Sequence, residues 1–105
     1  MKTYGVVFRP MAEQDLRGLY DYIAEQSGRK IAGDYIARME SACMALRTAP
    51  RRGTSRDDIR PGLRIVGFER CAAIAFQVKR SEVVIVRIFY GGRDYERILR
   101  NVRDE

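Results

Sequence analysis

A chain of 105 residues (12.1 kDa), 46% of them hydrophobic, can fill one core between two packed layers and is too short for two such cores. With 32% charged residues and no apolar run near the 18 or more that cross a bilayer, the sequence excludes a helical membrane protein. The net charge of +6 comes from 20 basic against 14 acidic side chains, and 17 of the 20 are arginine, so the expected partner is anionic.

The run TYGVVF is rich in β-branched and aromatic residues and predicts a strand over 3–8. Pro10 stops it and suits the first turn of a helix. After it Ala12, Leu16, Leu19, Tyr20, Ile23 and Ala24 recur at three- and four-residue steps, which predicts an amphipathic helix over 11–26. Asp15, Arg17, Asp21 and Glu25 fall on its wet face, and Gly28 supplies the stop. A second stripe of Ala32, Tyr35, Ile36, Met39, Cys43 and Leu46 predicts a helix ending before Pro50. The connection is so short that the two helices form an antiparallel hairpin. Gly18 and Gly33 weaken these helices; close approach of the two backbones or simple exposure would account for them.

Residues 50–62, PRRGTSRDDIRPG, read as loop. Strands follow at LRIVGF (63–68), AAIAFQV (72–78) and VVIVRIFY (83–90), joined by turns that only antiparallel neighbours can span. The last two are apolar at nearly every position, which predicts a sheet covered by the helices on one face and by something else on part of the other. Asp94 then caps a short helix carrying Tyr95, Ile98, Leu99 and Val102. The fold class is α+β in the order β-α-α-β-β-β with a short C-terminal helix, in a single domain over 1–105.

The chemistry on offer is narrow. The chain has no histidine, the commonest general acid–base and metal-binding side chain, and its two cysteines, Cys43 and Cys71, lack metal-ligand spacing and read as small core or boundary residues. YGGRD has neither the spacing nor the lysine of a phosphate-cradling loop. No metal or cofactor is expected. The N-terminal stretch turns acidic and amphipathic where a secretory signal would carry its apolar centre, so the expected compartment is the cytoplasm. Six arginines within twenty residues (Arg51, Arg52, Arg56, Arg60, Arg64 and Arg70) form a candidate basic patch.

Four stretches together carry a likeness: YGVVFRPMAEQDLRGLYDYIAEQSG, GDYIARMESACMALRTAPRRG, DDIRPGLRIVGFE and VVIVRIFYGGRDYERIL. Over nearly its whole length the chain resembles the ParE branch of the RelE/ParE toxins of bacterial type II toxin–antitoxin systems, whose element order is the one derived above. In that superfamily RelE-like members cleave mRNA on the ribosome. They use basic residues on the first strand after the helices, an arginine opening the next strand, another past the last strand, and a C-terminal tyrosine or histidine. Arg64 and Arg93 occupy two of those five places, whereas Val66, Ala73 and Leu99 stand at the others. Arg70, in a turn, and Tyr95, at a helix start, are poor substitutes. Groups that stabilise one transition state act as a unit, so a set this incomplete predicts no catalytic residues.

The resemblance therefore implies a toxin that acts by gripping. DNA gyrase is the implied target, and the basic surface offered to it is Arg64, Arg87, Arg93, Arg97, Arg100 and Arg103. Arg87 has a competing structural role, a pair with Asp57 or Asp58. A cognate ParD-like antitoxin is the implied neutralising partner, DNA being met only indirectly through the antitoxin complex. Leu16, Leu19, Tyr20, Ile23, Tyr35 and Met39 are its candidate contacts, with core packing as their competing role. The rival reading is a RelE-like ribosome-dependent mRNA interferase.

Overall fold

A computed structural model describes residues 2–91 and 94–101. Two helices, α1 (Pro10–Ser27) and α2 (Arg29–Ala45), follow strand β1 (Gly5–Phe8). Pro10 opens α1, where its missing N–H costs nothing, and Gly28, at φ 96°, ends α1 and starts α2 with no further linker. The stripes expected from the sequence are the buried ones: Ala12, Leu16, Leu19 and Ile23 on α1, and Ala32, Met39 and Cys43 on α2. A Cβ added at Gly18 or Gly33 would meet nothing within 4 Å, so these glycines do not mediate close helix packing.

The sheet has the order β1-β5-β4-β3-β2, with β3 (Leu63–Phe68), β4 (Ala72–Val78) and β5 (Glu82–Tyr90) as an antiparallel meander. β1 lies parallel to β5, which makes the sheet mixed. The stretch read as loop holds one further pairing, the two-residue edge strand β2 (Thr54–Ser55) on β3. Gly53 makes that approach feasible: its φ is +76°, and a Cβ there would sit 2.2 Å from the Ile65 carbonyl oxygen.

The sheet is apolar on both faces because both are covered. The helical hairpin packs on Ile74, Phe76, Val83, Ile85 and Ile88. On the other face Leu63, Ala75, Val86 and Phe89 are covered by Leu99 of the short helix α3 (Tyr95–Arg100), with Ile59, Tyr95 and Ile98 at the margin. Asp94 caps α3 as expected, its carboxylate accepting from the Arg97 N–H at 3.2 Å.

Candidate functional site

A bulge decides where Arg87 goes. β5 has one residue more than β4 between the pairs Phe76–Ile85 and Ala75–Arg87, so alternation breaks at Val86. Arg87 is thereby turned away from the face of Val83 and Ile85, and its guanidinium lies 5.5 Å from the Phe89 ring. β1 ends at Phe8, opposite Ile85, and leaves the rest of β5 as an open edge. Asp15 of α1 fills this gap. Its Oδ2 accepts from Arg87 Nε at 2.8 Å and from the Ile88 backbone N–H at 2.9 Å, and its Oδ1 accepts from Arg87 Nη2 at 3.0 Å. Both side chains are 11% exposed. One carboxylate therefore neutralises an arginine and stands in for the missing strand. The expected partners Asp57 and Asp58 are both otherwise engaged, and Asp15, read as solvent-facing, is largely buried in this pair.

Arg64 pairs across the sheet with Phe76 and so projects toward the hairpin side. There its Nε donates to the Arg52 carbonyl at 2.9 Å, and its Nη2 to those of Arg51 and Gly53 at 2.8 and 3.1 Å. Arg97 and Arg100 ride on α3, across the sheet. The arginines expected to form one basic surface are thus divided between its two faces. Arg97 is exposed with no ion pair among the described residues, whereas Arg100 Nη2 lies 3.0 Å from Glu96 and 3.3 Å from Asp58. Arg56, its side chain only 19% exposed, joins the same cluster through Asp58 at 2.8 Å and Glu96 at 3.4 Å. The bidentate Arg56 bond holds the Asp58 carboxyl down at about 2, and Glu96 is lowered by Arg100 first and Arg56 second. Arg93 and Arg103 lie outside the described residues. Arg70, in the β3–β4 turn, is six residues beyond Arg64, roughly 20 Å along an extended chain.

Of the apolar residues expected to meet an antitoxin, Leu16, Leu19, Ile23 and Met39 are buried in the core, Met39 completely. Tyr35 is an aromatic hinge between helix and sheet, with edge-on contacts to Phe68 at 5.5 Å and Tyr90 at 6.1 Å. Its hydroxyl is buried with no hydrogen-bond partner among the described residues and is pushed up to about 12, chiefly by burial and then by Tyr90. Two concavities flank α1. Leu16, Tyr20 and Ile36 floor a groove between the helices, rimmed by Glu13, Arg17 and Glu40. Leu19, Gly18, Tyr22 and Tyr90 line a second, which runs along the open edge of β5. Tyr22, 52% exposed and 5.9 Å from Tyr90, was missed in the sequence because it lies off the apolar stripe. Among the described residues no cluster of three or more histidine, cysteine or carboxylate side chains could hold a metal.

Residues 6–95 match the family model described as ParE toxin of type II toxin-antitoxin system, parDE. The chain belongs to the ParE toxin family. The Toxin ParE3 of Caulobacter vibrioides (strain ATCC 19089 / CIP 103742 / CB 15) is 34% identical over 77 residues, 73% of this chain and 76% of that one. Among solved structures, one described as a chromosomal ParDE TA system from P. aeruginosa superposes with a TM-score of 0.73, covering 85% of this chain and 97% of the other at 24% identity. That likeness is one of fold, and it agrees with the element order read from this ParE sequence. The split arginines and buried stripe are therefore features of a toxin of a type II toxin–antitoxin system.

Proposed function

We propose that this ParE toxin acts by binding, without chemistry of its own, on DNA gyrase in the cytoplasm, and that a ParD-like antitoxin neutralises it. The observation that carries the binding reading is the separation of Arg64 from Arg70 and from the α3 arginines. Phosphodiester cleavage without histidine needs several cationic and phenolic groups around one reacting phosphate. Here Arg64 is fixed to the carbonyls of residues 51–53 on one face, while Arg97 and Arg100 ride on the other. The target surface we favour is that of α3, with Arg97, unpaired among the described residues, and Arg100 at its edge; Arg93, outside the described residues, is kept as a proposed contact. Arg87 we remove from it, since Asp15 satisfies it. Gyrase enters through the family resemblance, and no helix of the described residues is long and apolar enough to cross a membrane.

An antitoxin of the ParD kind is supported by the parDE system to which the family belongs. The two concavities beside α1 suit an amphipathic segment: Leu16, Tyr20 and Leu19 line them, whereas Ile23 lines neither and Met39 is completely buried. The test is a supercoiling assay with purified chain. Inhibition with accumulation of cleaved DNA, relieved by the antitoxin, is the expected result. Truncation of mRNA only when ribosomes are present, with gyrase unaffected, would replace this reading with the interferase one.

A further inference from the structure

The strongest unassigned feature is a cationic hollow at the end of the sheet where β1 begins and β4 ends. It has a volume of about 410 Å³ and is walled by Arg51 and Arg64 on one side and by Lys2, Lys79 and Arg80 on the other. Five cations thus face one space, and the single carboxylate lining it, Asp57, is already committed. Asp57 accepts from the Gly62 N–H at 2.8 Å and from Ser55 Oγ at 3.0 Å, and the Gly62 bond is the main cause of its lowered pKa. It braces the loop and leaves most of the positive charge uncompensated.

The cations differ in how they are held. Arg64 is fixed by three backbone carbonyls through Nε and Nη2, which leaves Nη1 without a partner among the described residues. Lys2 is placed by its bond to the Arg80 carbonyl at 2.6 Å and lies 4.8 Å from the centre of the Tyr4 ring. Arg51, Lys79 and Arg80 are exposed and have no ion pair among the described residues. An arginine anchored by the carbonyls of residues 51–53, with a lysine placed by the Arg80 carbonyl and further exposed cations beside them, is an arrangement that receives an anion with little reorganisation of the anchored groups.

The geometry points to this hollow as a binding site for the phosphodiester backbone of nucleic acid. A protein segment would need apolar anchors to bury, and the lining supplies only Val78 and Tyr4. A polyphosphate chain needs only cations and hydrogen-bond donors, and arginine outnumbers lysine among them. The site is distinct from the α3 surface assigned above to the target protein, because Arg64 lies across the sheet from α3. It stands or falls independently of gyrase.

The test is fluorescence anisotropy of the full chain with a fluorescein-labelled 20-base-pair DNA duplex and with the RNA duplex of the same sequence, across a salt series. The Lys79→Ala/Arg80→Ala variant alters only exposed turn side chains, so it folds. Two lost phosphate contacts should lower the slope of log K against log salt by about 2 and the affinity near 0.1 M salt by roughly sixtyfold. The charge-matched Arg17→Ala/Arg29→Ala variant, both positions exposed and away from the hollow, should leave the slope unchanged. A hollow-dependent preference for either duplex supports the site and names its ligand. Equal losses in the two variants would reduce the effect to diffuse charge and overturn it, as would tighter binding of a polyglutamate peptide than of either duplex.

Discussion

Replacing Asp15 with alanine tests whether Arg87 is a structural residue. The substitution leaves the Arg87 guanidinium, 11% exposed, without its counter-charge and the Ile88 N–H without an acceptor. Removing one member of a buried ion pair costs about 3–5 kcal/mol, and an unpaired backbone N–H about 1–3. Here both figures belong at their low ends, because the hollow beside Asp15 and Ile88 can admit water and lets the guanidinium turn outward. The sum is about 3–4 kcal/mol, a large part of the 5–15 typical of a whole domain. Urea unfolding followed by circular dichroism should show a midpoint about 2 M lower with an unchanged slope. Asp15→Asn keeps one acceptor for Ile88 and should cost about 2 kcal/mol. The double variant Asp15→Asn/Arg87→Met should be more stable than the sum of the single losses, because it leaves no charge unpaired. A shift below 0.5 M for Asp15→Ala, or strict additivity in the cycle, would refute the staple. Loss of toxicity in Arg87 variants would accordingly report unfolding and not lost target contact.

Gly18→Ala and Gly33→Ala meet open space inside helices and together should raise stability by about 1–2 kcal/mol, measured by the same unfolding assay. Gly53→Ala should do the reverse by about 3 kcal/mol, since positive φ adds to a clash with the β3 backbone that cannot relax cheaply. Burial pushes the Cys43 thiol up to about 12 and Cys71 is exposed, so Ellman's reagent should titrate one thiol in the native chain and two in urea. Asp58 is lowered from 3.8 to about 2 by its bond to Arg56, so its contribution to stability is complete above about pH 4 and is lost as pH falls toward 2. The urea midpoint should fall across that window, and less steeply in Asp58→Asn.

The element order, both helical stripes and the burial of β4 and β5 on two faces can be read from the residues alone, because each follows from a period of 3.6 or 2 that local residues carry. The absence of histidine is likewise plain from the inventory of side chains. What the sequence could not hold was the partner of Arg87: Asp15 stands 72 residues away, and its role exists only because β1 stops at Phe8 and leaves Ile88 on an open edge. Nor could strict alternation show that a bulge turns Arg87 away from Ile85, or that Arg64 and α3 end up across the sheet from each other. The hollow between Arg51, Arg64 and the Lys79–Arg80 turn is a tertiary product of the same kind, its charges scattered along the chain and joined only where loop, N-terminus and hairpin end meet. Periodicity is a property of neighbours in sequence, whereas charge pairing and site convergence are set by strand lengths and register, which only packing fixes.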